Sequence, residues 1–132
     1  MAASSGAGGE RPLSPHLQIY RPQWTWVPSI LHRITGAGLM VAAVLVVWWL
    51  FAAAVSPQYF AVADAVLSSW FGVIVLVPSA AALWYHFFNG IRHLIWDTGH
   101  GIGMRRVRAS AIRIIIYTLV MTVITVWLAL AY

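Results

Sequence analysis

The sequence contains no cysteine and no lysine, and only three of its 132 residues are acidic. Without cysteine the chain can form no disulfide, ligate no iron–sulfur cluster and attach no c-type haem. Charged residues make up 8% of the chain, whereas soluble domains carry about 25%. This shortage of charge, together with 61% hydrophobic residues, predicts an integral membrane protein without a soluble domain of its own.

Three long apolar runs predict an all-α protein with three transmembrane helices, at about residues 29–55, 66–96 and 110–132. Each run is long enough to cross the hydrocarbon core as a helix. Ser56-Pro57 is expected to end the first helix, a short loop containing Asp64 follows it, and Pro78 is expected to kink the second helix. The sequence therefore divides into an N-terminal cytoplasmic or interfacial segment, residues 1–28, and a three-helix transmembrane domain, residues 29–132.

The distribution of the arginines predicts the orientation in the membrane. They flank the first run on its N-terminal side and fill the connection between the second and third runs, whereas the connection between the first two runs has none. The positive-inside rule places the arginine-rich side in the cytoplasm, so the N-terminus is predicted inside and the C-terminus outside. Clustering at helix ends also accounts for the net charge of +5 without a nucleic-acid partner. The arginines outside the spans are Arg11, Arg21, Arg105, Arg106 and Arg108, with Arg33 and Arg113 near helix starts.

A stripe of polar residues follows one face of the second predicted helix. At helical spacing His86, Gly90, His93 and Asp97 lie on a single narrow face. His86 lies about 9 Å deeper in the membrane than Arg92, because each residue rises 1.5 Å. A buried imidazole is costly without a partner, and a glycine one turn away leaves room for a flat ligand, which suggests a bound haem. A hydrogen bond from His86 to a neighbouring helix, or a transport relay with Arg92, remains an alternative.

A second polar cluster opens the first helix. Ser29, His32, Arg33 and Gly36 share one helix face at the same membrane side as the second cluster. The guanidinium of Arg33 presents a planar fork of donors that suits a carboxylate or a polarised carbonyl. We expect a ligand site here. The alternative is that Arg33 reaches lipid headgroups while Ser29 caps the helix.

The third predicted helix carries a polar stripe of a different kind. Thr118, Thr122 and Thr125 lie on one face at helical spacing. Hydroxyl side chains in membrane helices commonly hydrogen-bond to neighbouring helices. The stripe therefore predicts a helix–helix contact rather than a ligand site.

Three motifs in this order closely resemble the cytochrome b556 membrane-anchor subunits of succinate dehydrogenase. The resemblance extends from Arg11 to about Gly99, and three separated motifs in one order make it specific. The motifs are Arg11-Pro-Leu-Ser-Pro-His-Leu-Gln-Ile-Tyr20, Ser29-Ile-Leu-His-Arg-Ile-Thr-Gly36, and His86 with Gly90-Ile-Arg-His-Leu94 and Asp97.

The resemblance implies a place in a multisubunit enzyme of a bacterial inner membrane. Members of this family pair with a second membrane anchor, an iron–sulfur subunit and a flavoprotein subunit. The complex oxidises succinate to fumarate and reduces ubiquinone, so the chain would not be catalytic alone. A haem-free structural anchor and a small transporter are the alternative functions.

The resemblance also implies roles for individual residues. His86 matches the axial histidine of haem b and would be the chain's metal ligand, the other axial ligand coming from the second anchor. Ser29 and Arg33 match residues that line the quinone site, and His32 matches a residue beside the haem propionates. His93 lies near the interface, where it could reach a propionate, and Arg33 could do the same.

Overall fold

A computed structural model describes residues 22–131, and every regular element in that range is a helix. Three of these helices, α1, α3 and α4, are long and apolar enough to cross a membrane. The predicted all-α membrane protein with three spans is thereby confirmed. Residues 1–21 and Tyr132 lie outside the described residues, so most of the predicted N-terminal segment and the end of the third span do too. The helices are α1 (Val27–Val55), α2 (Pro57–Leu67), α3 (Trp70–Asp97) and α4 (Met104–Ala131).

The predicted loop around Asp64 is wrong, because this segment forms the short helix α2. Ser56 ends α1 in an extended conformation, and its hydroxyl accepts a hydrogen bond from the Tyr59 backbone N–H at 3.2 Å. Pro57 occupies the first turn, where its missing N–H costs nothing. The dipeptide that stops one helix therefore also caps the next.

The predicted start of the second span, residue 66, is also wrong. Val66 belongs to α2, and α3 begins at Trp70 after a corner of two serines. Gly72 makes this corner possible, since a Cβ atom there would collide with the backbone carbonyl of Leu67. Pro78 lies inside α3, which continues on both sides of it.

The third span begins six residues before its predicted start, at Met104 rather than residue 110. The extension contains Arg105, Arg106 and Arg108, all exposed. Charge keeps these residues out of the hydrocarbon, but it does not keep them out of a helix. The hydropathy pattern predicts where the uncharged part of the span begins, whereas α4 starts before that point.

Helix α3 lies between α1 and α4 and packs antiparallel to both. The Trp84 indole N–H donates to the Thr125 hydroxyl at 2.9 Å, and Thr118 is buried, which supports the helix–helix contact predicted from the threonine stripe. Most apolar side chains of the spans remain exposed on this chain alone. Surfaces of this size need lipid or other subunits to cover them.

Candidate functional site

Three histidines meet where the start of α1 crosses the second half of α3. The rings of His32 and His86 stack, with centroids 3.8 Å apart and planes inclined by 11°. The ring of His93 lies 5.2 Å from that of His32, tilted by 50°. The antiparallel packing of α1 and α3 thus brings His32 of the first predicted cluster against His86 and His93 of the second.

The two ring nitrogens of His86 have different surroundings. Its Nδ1 lies 3.0 Å from the backbone carbonyl oxygen of His32. Because a carbonyl only accepts hydrogen bonds, Nδ1 carries the proton and donates it. In the neutral ring Nε2 then keeps its lone pair, and it has no hydrogen-bond partner among residues 22–131. Histidines that ligate metals are commonly held in this way, with one nitrogen fixed by a carbonyl and the other available.

Glycines make room for the stacked rings. A Cβ atom on Gly36 would lie 2.9 Å from Cε1 of His86, so only glycine lets this ring lie against α1. Gly90, which the sequence suggested as the space beside His86, instead faces His32, and its Cβ would lie 3.7 Å from Cε1 of that ring. Thr35 also borders the site, with its hydroxyl oxygen 3.4 Å from Nδ1 of His86.

The donor set of this chain fits a haem better than a metal ion held by the protein alone. No group of three or more His, Cys, Asp or Glu in the described part of the chain could hold a metal ion. A haem iron needs only axial ligands from protein, because the macrocycle supplies the rest. His86 offers one such ligand, and Nδ1 of His32 is buried with no hydrogen-bond partner among the described residues.

Asn89 organises the polar groups below the histidines, and sequence reasoning missed it. It is fully buried at 0% exposure. Its Oδ1 accepts from Nη1 of Arg92 at 3.3 Å, so its Nδ2 is the donor toward Nε2 of His93, also at 3.3 Å. Nε2 of His93 is therefore an acceptor, and the proton of the neutral ring sits on Nδ1. The available signal was an amide within an apolar run, three residues after His86 and four before His93, which is one helical turn from each.

Arg92 is buried, although the helical wheel placed it away from the polar stripe. It is 4% exposed, and its Nη2 donates to the backbone carbonyls of Trp24 at 3.5 Å and Val107 at 3.3 Å. Its guanidinium also lies 4.1 Å above the ring of Trp96. Arg92 thus ties the segment before α1 and the start of α4 to α3, and it makes no bond to His86.

The start of α1 is fixed to α3 through one carbonyl. The backbone oxygen of Pro28 accepts from the Tyr85 hydroxyl at 3.0 Å and from Nδ2 of Asn89 at 3.4 Å. Both donors, Tyr85 and Asn89, belong to α3. They therefore hold the first turn of α1 against that helix. That turn carries Ser29, and the next carries Arg33.

Ser29 and Arg33 are near the histidines along α1 but make no contact with them. Ser29 is half-buried, and Arg33 is exposed. Ser29 does not cap α1, whose N-cap position is Trp26 without a side-chain cap bond. Among residues 22–131, Arg33 has no hydrogen-bond or ionic partner. Asp97, the last member of the predicted stripe, is exposed at the end of α3.

Comparison with known proteins finds relatives whose names all refer to subunits of succinate dehydrogenase. Residues 8–125 match the family model described as "Succinate dehydrogenase/Fumarate reductase transmembrane subunit". The chain is 47% identical to the succinate dehydrogenase cytochrome b556 subunit of Paracoccus denitrificans, over 89% of this chain and 90% of that one. It is 37% identical to the protein of the same name from Rickettsia conorii, over 87% and 90%. It is 39% identical to the succinate dehydrogenase cytochrome b560 subunit of Marchantia polymorpha, over 77% and 78%.

Proposed function

Because the chain belongs to the family of succinate dehydrogenase/fumarate reductase transmembrane subunits, we propose that it is the haem b-binding anchor of a succinate dehydrogenase complex. As such it passes electrons from the iron–sulfur subunit to ubiquinone. The chain has no cysteine to hold an iron–sulfur cluster, so the clusters would belong to the iron–sulfur subunit, and the flavin would belong to the flavoprotein subunit. It is a subunit of an enzyme and is not catalytic alone.

The arrangement of His86 carries this proposal. Its Nδ1–H is committed to the His32 carbonyl, which leaves Nε2 as a neutral ligand for iron. The other iron ligand would come from a second anchor. When bound, haem b supplies a one-electron redox centre whose potential depends on its axial ligands and surroundings. The hydrogen bond from Nδ1 makes the imidazole more basic and fixes its plane against α1.

His32, His93 and Arg33 are the candidates for holding the haem propionates. Nδ1 of His32 is buried without a hydrogen-bond partner in the described part of the chain, and the bond from Asn89 leaves the Nδ1 proton of His93 available to be donated. A propionate oxygen accepts hydrogen bonds and carries negative charge, so imidazole N–H groups and a guanidinium suit it. All three side chains lie near the same membrane face as Arg92.

Ser29 and Arg33 are proposed to hold the quinone. They lie one turn apart on α1, and the Arg33 guanidinium has no partner in the described part of the chain. A charged donor at a quinone oxygen favours the negative charge that develops during reduction. The Ser29 hydroxyl adds a neutral hydrogen bond beside it. Protons for the reduced quinone would enter from the aqueous phase on that same side.

The proposed setting is a bacterial inner membrane, with the N-terminus in the cytoplasm and the C-terminus in the periplasm. The partners are a second anchor, which would cover part of the exposed apolar surface, and the iron–sulfur and flavoprotein subunits. The polar ends of α1 and α3 then face the subunit that delivers electrons. This placement puts the quinone site close to the electron source.

The proposal is tested by His86→Ala in the purified complex, with His100→Ala as the control. His100 lies exposed in the turn between α3 and α4. We expect His86→Ala to lower haem per complex roughly tenfold or more, since even second-shell changes cost metal sites 10- to 100-fold. Haem content and the reduced-minus-oxidised spectrum are measured. Full haem occupancy with an unchanged low-spin spectrum would refute the ligand assignment, and absence of haem from the wild-type complex would favour a haem-free anchor.

A further inference from the structure

A second polar site lies on the opposite side of α3 from the histidines. It begins with the buried guanidinium of Arg92, whose hydrogen bonds all go to neutral groups. Its Nε is buried and has no partner among the described residues. A buried positive charge without a counter-charge is costly, so an anion nearby would stabilise it.

Arg92 lines a cavity of about 360 Å³ between the end of α3 and the start of α4. Two more arginines line the same cavity, Arg106 and Arg113, and none of the acidic residues within 22–131 does. On α4 these two lie on one face with Ser110 between them, because their spacing is close to two helical turns. The helix pair therefore concentrates three guanidinium groups around one space.

Apart from Ser110 and Tyr117, the rest of the cavity wall is apolar. Phe88, Ile91 and Ile95 of α3 and Ile114 of α4 supply most of it, and Trp96 lies beside the guanidinium of Arg92. The lining thus offers guanidinium groups to an anion and apolar side chains to a hydrocarbon chain. A soluble anion would use only the first, whereas a phospholipid would use both.

We propose that this groove binds one anionic phospholipid, with its phosphodiester on Arg92, Arg106 and Arg113 and an acyl chain along the apolar wall. Guanidinium groups bind phosphate oxygens in a bidentate fork, and basic pockets between membrane helices suit lipid headgroups. Arg106 is in the first turn of α4, at the membrane boundary where headgroups lie. The bound phosphate would supply the counter-charge that Arg92 lacks in this chain.

The test is native mass spectrometry of the whole delipidated complex titrated with phosphatidylglycerol. The variant is Arg106→Gln with Arg113→Gln; both side chains are exposed, so folding should be preserved. The control, Arg105→Gln with Arg108→Gln, removes the same charge from α4 outside the cavity lining. Each basic group near an anionic lipid contributes on the order of a fivefold change in affinity. We therefore expect the lipid concentration for half-occupancy to rise roughly thirtyfold in the variant and by less than about twofold in the control.

Three further titrations give results that decide the occupant. Arg106→Lys with Arg113→Lys should retain most of the binding, and phosphatidylcholine should not occupy the site at the same concentrations. Inorganic phosphate should fail to displace the lipid. Equal binding of phosphatidylglycerol by the Gln variant and wild type overturns the proposal, as does displacement by phosphate alone. Loss of another subunit from the Gln variant, with the control complex intact, would identify a protein interface instead of a lipid site.

Discussion

At the scale of single residues, hydrogen bonds decide what each histidine can do. His86 donates from Nδ1 to a backbone carbonyl and keeps Nε2 as a ligand, whereas His93 accepts at Nε2 from Asn89. The two rings lie two helical turns apart on one face, yet their free nitrogens differ. The hydrogen bond from Asn89 therefore distinguishes His93, proposed as a donor to a propionate, from His86, proposed as a metal ligand.

The quinone assignment predicts unequal effects for two neighbouring residues of α1. Arg33→Leu should slow quinone reduction roughly ten- to hundredfold, because a hydrogen bond from a charged donor contributes about 1.5–3 kcal/mol. Ser29→Ala removes a neutral bond and should slow it less. Succinate oxidation with a soluble artificial acceptor should be spared, since its chemistry belongs to other subunits. Both activities are measured on one purified complex.

Two controls keep this measurement interpretable. Haem content is measured in each variant, because Arg33 is also a candidate for a propionate, and Arg105→Gln reports the effect of losing an exposed arginine elsewhere. Equal loss of both activities would indicate failed assembly. Quinone kinetics that do not change in Arg33→Leu would contradict the site.

At the scale of elements, the site depends on how closely α1 approaches α3. The Pro28 carbonyl, held by Tyr85 and Asn89, fixes the first turn of α1, and Gly36 allows the His86 ring to lie against the helix two turns later. Arg92 ties α4 to the same end of α3. The proposed haem ligand, His86, is therefore positioned by the packing of two helices rather than by its own helix alone.

A single methyl group should disturb this packing. Gly36→Ala places a Cβ 2.9 Å from Cε1 of His86, so the ring must move away from the His32 carbonyl. We expect roughly a 10- to 100-fold loss of haem affinity, the usual cost of disturbing a residue that orients a metal ligand. The matched control is Gly38→Ala, where a Cβ would meet nothing within 4 Å. Haem retention during detergent dilution is measured, and equal retention in both variants would show that the contact is unimportant.

At the scale of the whole molecule, three spans put the two ends of the transmembrane domain on opposite membrane faces. All the polar groups of the candidate site lie at one of these faces, together with the arginines of α4. At the other face α2 folds back on α1, with the Trp48 indole N–H donating to the Tyr59 hydroxyl at 2.8 Å. The chain is thus chemically one-sided, as expected for an anchor that receives electrons from one aqueous phase.

The arginine distribution predicts which face is cytoplasmic. A fluorescent protein that matures only in the cytoplasm should be dark when fused after Tyr132, whereas alkaline phosphatase at that position should be active. The internal control is a fusion after Ile102, in the turn between α3 and α4, where the two reporters should behave in the opposite way. Fluorescence from the fusion after Tyr132 would overturn the predicted orientation.

The sequence by itself determined the class of the protein, because hydropathy is a local property and the bilayer thickness sets the span length. It also indicated His86, His93 and His32 as candidate site residues, because polar residues are rare in apolar runs and helical spacing puts them on defined faces. It misjudged the segment around Asp64, where Ser56 and Pro57 begin a new helix instead of a loop.

Only the tertiary structure decided how these residues are used. The partner of Nδ1 in His86 is a carbonyl 54 residues away along the chain, and the space for its ring comes from Gly36 on another helix. The burial of Arg92 likewise depends on carbonyls of Trp24 and Val107, which belong to other elements. Such contacts arise from the packing of helices distant in sequence, so no periodicity within one helix encodes them.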